Sequence, residues 1–113
     1  MAGVAAPRMT LSTRLVLYVL IEDPDREMYG LQICGAAGLP GGTIHPILAR
    51  LEKVGWLISR WEEIGAREEG RPRRRYYRLN PNSLAVVRAA LHRADPAVKL
   101  VGRLRPGRAG EGW

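Results

Sequence analysis

Arginine carries most of the chemistry this chain can offer. Six arginines fall between Arg67 and Arg78, inside the stretch LISRWEEIGAREEGRPRRRYYRL of residues 57–79. A guanidinium stays charged at physiological pH, and its planar donors match the oxygens of phosphate or carboxylate. The chemistry implied is anion binding. Catalysis finds little to work with: the chain has three serines, two histidines (His45 and His92) and one cysteine, Cys34. No nucleophile–base pair stands in a recognisable motif, and no glycine-rich string is spaced to cradle a nucleotide. The carboxylate pairs Glu62/Glu63 and Glu68/Glu69 fall on strand and loop, where solvation is the default. No Cys/His pair has metal-ligand spacing. No enzyme activity, metal or cofactor is expected, and Cys34 reads as a small buried apolar residue.

The arginines need elements to position them. Thr10 and Ser12 are candidate N-caps for a helix running to about Ile21, with Leu11, Leu15, Tyr18 and Val19 as its stripe. The sequence EDPD ends it, because the residue before Pro24 is pushed out of the helical region. Residues 29–37 predict a short second helix carrying Leu31, Ile33 and Cys34, followed by the turn GLPGG. Residues 43–54 predict a third helix, in which Ile44, Ile47, Leu48 and Leu51 recur at i, i+3, i+4 and i+7 as one buried stripe. Pro46 is tolerated in a first helical turn, which sets the expected cap at Gly42 or Thr43.

Helix, short glycine-containing turn, helix is the helix-turn-helix pattern, whose second helix enters the DNA major groove. Thr43, His45, Pro46, Ala49, Arg50 and Lys53 are its candidate DNA-facing residues. Gly55 ends this helix and the chain passes directly into a hairpin, the arrangement of a wing. Arg67, Arg71, Arg73 and Arg74 near its tip would neutralise phosphates or enter the minor groove. Leu57, Trp61, Tyr77 and Leu79 would pack its root, together with Trp56.

Beyond the wing, Asn80 and Pro81 form an N-cap and N1 pair, so a helix is expected from about Asn82. Leu84, Val87, Leu91, Ala94, Val98 and Val101 follow a 3–4 spacing, the seam of a helix that pairs with another helix. Pro96 predicts a kink or a new helix capped by Asp95. Leu15 and Tyr18 of the first helix would share the contact, making a homodimer.

Several strings, MYGLQI, GGTIHPILARLEKVGWL, SRWEE and GRPRRRYYRL, together resemble the PadR-like transcriptional regulators over about half of the chain. The resemblance implies a dimeric winged-helix repressor that binds an inverted repeat in double-stranded DNA, its dimer built by the first and C-terminal helices. It also admits a small aromatic effector, although the C-terminal helix carries no tryptophan to stack on it. Two departures stand out: His45 replaces the usual tyrosine, and Pro40 replaces the usual serine before the recognition helix.

The expected fold class is therefore mainly α with a small β-hairpin wing (α+β), a winged helix-turn-helix with an additional C-terminal dimerisation helix. The expected divisions are a flexible terminus (1–8), the DNA-binding domain (9–80), the dimerisation helix or kinked pair (81–105) and a disordered basic tail (106–113). A formal net charge of +7 favours an anionic partner. No apolar run approaches the ~18 residues that span a bilayer, and a single cysteine fits a reducing compartment, so a cytoplasmic, nucleoid-associated protein is expected. Two other readings remain open on sequence alone: an architectural or recombination-directionality DNA-binding protein, and a winged-helix adaptor whose basic wing meets an acidic protein.

Overall fold

The computed structural model describes residues 6–63 and 70–95. Of the sites expected from sequence, Arg67, Val98, Val101, the Pro96 kink and the basic tail lie outside those residues.

Helix α1 (Leu11–Ile21) is capped by Thr10, whose Oγ1 accepts the Thr13 N–H at 3.2 Å, while Ser12 lies within the helix. Its core face is Thr13, Val16, Leu17 and Leu20. The stripe expected from sequence is on the other side: Leu11 is 61% exposed, and Leu15, Tyr18 and Val19 are only half-buried. The sequence LSTRLVLYVLI is apolar around most of its circumference, so periodicity could not select the inward face.

A two-residue strand, β1 (Met28–Tyr29), precedes helix α2 (Gly30–Ala37), where the second helix was expected to start at residue 29. Gln32 Oε1 accepts the Tyr29 backbone N–H at 3.1 Å, satisfying one of the donors a helix start leaves orphaned. Ile33 is buried, Cys34 is half-buried and packs against the core, and Leu31 is 74% exposed.

Helix α3 (Gly41–Lys53) begins earlier than its glycines suggest. The Pro40 carbonyl accepts the N–H groups of Thr43 and Ile44, each at 3.0 Å, so Pro40 is the cap, not Gly42 or Thr43. Pro46 therefore lies past the first turn and leaves the Gly42 carbonyl without its intrahelical donor. The buried stripe of Ile44, Ile47, Leu48 and Leu51 is as expected. The helix closes with a Schellman motif: Gly55 N–H bonds the Glu52 carbonyl and Trp56 N–H the Leu51 carbonyl. Gly55 takes φ +88°, a left-handed value that favours glycine.

Strands β2 (Leu57–Trp61) and β3 (Arg75–Leu79) form the wing hairpin, in antiparallel register from Leu57↔Leu79 to Trp61↔Arg75. Strand β1 adds to the far edge of β3, with Met28 opposite Tyr77, giving the order β1-β3-β2. Leu57, Leu79 and Trp56 are buried at the root and Tyr77 is half-buried. Trp61 is 50% exposed; it stands at the far end of β2, beyond the reach of the core, and does not pack the root as expected.

Asn80 joins the wing to the C-terminal helix. Its Oδ1 accepts the Asn82 N–H at 3.0 Å, and its Nδ2 donates to the Gly55 carbonyl at 2.9 Å, where Ser83 Oγ also donates. A 3-10 turn, Pro81–Ser83, intervenes before that helix, α4 (Leu84–Ala94). Val87, Ala90 and Leu91 join one core cluster with Val16, Leu17 and Leu20. This corrects the seam expected from sequence. Val87 is 0% and Leu91 6% exposed within the single chain, so neither can meet a second chain without opening this one, whereas Leu84 and Ala94 remain half-buried. The Arg14–Asp95 ion pair (3.1 Å) ties α1 to the end of α4. The result is a mainly helical winged-helix fold with a small antiparallel sheet.

Candidate nucleic-acid interface

The outward face of α3 is set by its inward one. With Ile44, Ile47, Leu48 and Leu51 turned to the core, His45, Pro46, Ala49, Arg50 and Lys53 are exposed and Thr43 is half-buried. His45 is not a free projection. A Cβ added to Gly30 would stand 3.0 Å from its Cε1, and one added to Gly41 3.5 Å from its Cδ2. Its imidazole therefore leans over the starts of α2 and α3.

The wing arginines, treated alike in the sequence, have different surroundings in the structure. Arg71 is half-buried and donates from Nη1 and Nη2 to both oxygens of Glu62, at 2.8 and 3.0 Å. The Arg74 backbone N–H adds a bond of 3.1 Å to the same carboxylate. The Arg71 guanidinium first, and that amide second, bring the Glu62 pKa down to about 2 from an ordinary 4.5. Glu62 is thus the clamp at the distal end of the ladder, not the solvated carboxylate expected from sequence.

Arg75 Nη2 reaches Glu52 Oε2 of α3 at 3.3 Å, and Ser59 Oγ donates to the same oxygen at 2.5 Å. Glu52 is the one acid in the α3 sequence GGTIHPILARLEK. It fastens the wing to the recognition helix, and its isolation among basic neighbours was the available signal for that role. Burial raises the nearby Tyr77 phenol pKa, which Arg75 partly opposes.

Arg73 and Arg74 make no ion pair among the described residues. Both rest on aromatic rings instead. The Arg74 guanidinium lies 4.0 Å from the centroid of Tyr29, and that of Arg73 lies 5.7 Å from Trp61, which Arg75 also approaches at 5.1 Å. These contacts restrict the guanidiniums without neutralising them. Tyr29 in turn meets Tyr76 edge-on, with centroids 5.8 Å apart. Arg60, the cross-strand partner of Tyr76, lies 5.0 Å from that ring's centroid and is paired with Glu27 through two bonds of 2.7 Å.

Together α3, the start of α2 and the wing enclose an open cleft of about 350 Å³, with His45 on one wall and Trp61, Arg73 and Arg74 on another. Periodicity placed the α3 face and composition placed the wing charge. Tyr29, Glu52, Trp61 and Glu62 become part of the site only through tertiary structure. Among the described residues no cluster of His, Cys, Asp or Glu could hold a metal, and no helix is long and apolar enough to cross a membrane.

Residues 16–86 match the model of the transcriptional regulator PadR-like family. Among solved structures, a PadR family transcriptional regulator from Eggerthella lenta is 29% identical, covering 88% of this chain and 91% of that one with a TM-score of 0.58. A transcriptional regulator from Clostridium thermocellum is 22% identical, covering 84% and 90% with a TM-score of 0.59. Bordetella bronchiseptica BpsR, whose structure concerns regulation of its DNA binding by 6-hydroxynicotinic acid, is 16% identical over 85% of this chain and 67% of that one. It shares the fold, with a TM-score of 0.63. No curated protein matches the chain by sequence.

Proposed function

The chain belongs to the PadR-like family of transcriptional regulators, and from that premise we propose that it represses transcription as a homodimer bound to an inverted repeat in double-stranded DNA. One observation carries the reading. The exposed face of α3 adjoins a wing whose Arg73 and Arg74 are held on aromatic rings without a carboxylate partner among the described residues. A convex helix beside a wing that presents these two arginines suits a major groove flanked by phosphates.

In this reading Thr43, His45, Pro46 and Ala49 lie toward base edges. Arg50, Lys53, Arg67, Arg73 and Arg74 meet phosphates, and Arg71 acts by holding the wing through Glu62. Pairing falls to the outer side of α1, where Leu11 is exposed and Leu15 and Tyr18 are half-buried, and to Leu84 and Ala94, which are half-buried on α4; Val98 is assigned to the same contact from the sequence spacing alone. A small aromatic effector belongs to the same reading, as DNA binding of the Bordetella protein is regulated by 6-hydroxynicotinic acid.

The test is selection of a duplex from a randomised library, followed by footprinting and a salt titration. Two-fold protection of half-sites about 34 Å apart is expected. Five phosphate contacts in each half-site give a slope of log K against log salt of about −4.5 per half-site. A slope near zero would reject DNA as the partner and leave an acidic protein in its place. A direct-repeat footprint would reject the symmetric dimer.

A further inference from the structure

Gly30 opens α2, and its backbone does not call for a glycine. Gly38, Gly55 and Gly70 take positive φ among the described residues, and Gly30 does not. Alanine would be the better helix former there. What occupies the space beside Gly30 is His45, from the next helix. The three atoms nearest to a Cβ built on Gly30 all belong to that imidazole: Cε1 at 3.0 Å, Nε2 at 3.8 Å and Nδ1 at 3.9 Å. Nitrogens at almost equal distances put Gly30 in line with the Cε1–H bond, so the ring meets it edge-on. His45 is steadied from its own helix as well. A helical side chain leans toward the preceding turn, and a Cβ built on Gly41, one turn back, would stand 3.5 Å from Cδ2 and 3.6 Å from Nε2. Nε2 thus sits in the corner between two glycines on two helices. Nδ1 is the farther nitrogen from both, on a residue whose outer side is exposed.

We infer that Gly30 is a positioning residue for sequence readout: lacking a Cβ, it lets the first turn of α2 hold the His45 imidazole in one orientation, from which Nδ1 meets one base edge in each half-site. The slot itself depends only on the fold; its consequence for DNA rests on the regulator reading. A ring ordered before DNA arrives loses less side-chain freedom on binding. One imidazole nitrogen offers a single donor or a single acceptor, so it discriminates at a single base position. An alanine Cβ at 3.0 Å from Cε1 is too close to be accommodated with the ring in place. The ring must then move, and because His45 is exposed, it can swing toward solvent without disturbing the core. Substitution at Gly30 therefore acts on DNA through His45, from a different helix.

The experiment profiles base preference on a randomised duplex library for the full chain, Gly30→Ala, His45→Ala and the double variant, alongside a nuclear Overhauser measurement on the DNA-free protein. The chain has two histidines, so the His45 Cε1 proton is identified by its loss in His45→Ala. It should show a cross-peak to the Gly30 α protons. His45→Ala should reduce discrimination at one position of each half-site by about fivefold or more, the value of one base contact. Gly30→Ala should reduce it at the same position by about two- to fivefold, with a melting temperature equal to or above that of wild type. In the His45→Ala background Gly30→Ala should add nothing, because the ring it displaces is gone. Gly41→Ala, whose Cβ makes ordinary contact, should alter the profile less than Gly30→Ala.

Absence of the cross-peak would overturn the slot. A Gly30→Ala loss spread evenly over all positions, or accompanied by a lowered melting temperature, would make Gly30 a structural residue and overturn its positioning role. A further loss on adding Gly30→Ala to His45→Ala would do the same. An inverted-repeat profile that neither single variant changes would sink this inference and spare the regulator. A cross-peak with no DNA bound at any salt would uphold the slot and sink the regulator reading together with the readout.

Discussion

Helices α1 and α3 differ little in length, 11 and 13 residues, yet they divide their surfaces in opposite ways. α3 spends its apolar residues almost entirely inward and leaves glycine, histidine, proline, arginine and lysine outside. α1 has apolar residues to spare: after Val16, Leu17 and Leu20 fill the core, Tyr18 and Val19 pack half-buried at its margin and Leu11 and Leu15 remain outside it. The contrast separates two kinds of surface. An outer face of α3's composition suits a charged, hydrated partner. One of α1's composition suits another apolar surface, because exposed hydrocarbon gains by being covered.

The largest expected effects sharpen the inward half of this comparison. Leu91→Asp puts a carboxylate where the side chain is 6% exposed, which costs several kcal/mol. Helical circular dichroism and DNA binding should be lost together, whereas a folded monomer would mean that Leu91 faces a partner after all. Leu48→Ala, at a site with no exposure, should cost about 2–5 kcal/mol in urea unfolding. Leu15→Ala, on the half-buried side of α1, should cost about 1 kcal/mol or less when measured dilute, and more at concentrations where the chains pair. Equal losses for Leu48→Ala and Leu15→Ala in dilute solution would break the comparison.

An intermediate effect belongs to the joint behind α3. Asn80→Ala removes a donor to the Gly55 carbonyl and the acceptor for Asn82 N–H, and should cost about 1–2 kcal/mol. Thermal melting should register it, with little change in the salt dependence of DNA binding. A change in the salt slope comparable to loss of a wing arginine would mean that Asn80 contacts phosphate.

The outward half is sharpened by two arginines three residues apart. Arg74→Gln should reduce the salt slope of DNA binding by about 1 and weaken all sequences alike. Arg71→Gln should leave the slope nearly unchanged, because that guanidinium is already matched by Glu62, while making the wing less ordered and DNA binding modestly weaker. If the two variants lose the same slope, Arg71 releases Glu62 to meet DNA and the distinction drawn from the free chain does not survive binding.

The sequence made much of this legible where one pattern had one solution. Ile44, Ile47, Leu48 and Leu51 admit a single inward face, and Gly55 followed by alternating strand residues admits little besides a hairpin. It failed where several solutions were equally good. α1 could turn either side to the core, and which side won was decided by its packing against α2, α3 and α4 together. Val87 and Leu91 of α4 read as a seam for another helix; they were, but the helix is α1 of the same chain. The site divided similarly. The α3 face and the basic wing were visible as local patterns. β1 is too short to alternate, and the partnerships of Glu52 with Arg75, Glu62 with Arg71, and Arg74 with Tyr29 join residues that only the fold brings together.

The smallest effect tests whether Glu62 is a working clamp or a surface pair that happens to be formed. Its folded pKa, about 2 against an ordinary 4.5, is depressed because Arg71 and the Arg74 amide favour the charged form. A depressed carboxylate contributes stability that is fully present above the unfolded value and is lost as pH falls through the folded one. The window is therefore pH 4.5 down to about 2. Glu27, also lowered by its bond to Arg60, weakens the protein in acid too, but it does so equally in wild type and in Glu62→Gln, so it cancels in their difference. Wild type should melt a little above Glu62→Gln at pH values above that window, by a margin kept small because such pairs are screened near the surface. That margin should shrink steadily through the window and vanish at its lower end. A margin independent of pH would assign the loss to the neutral hydrogen bonds of the carboxyl group. No margin at any pH would mean that Arg71 gains nothing from Glu62, and Arg71 would then be available to DNA on the same terms as Arg74.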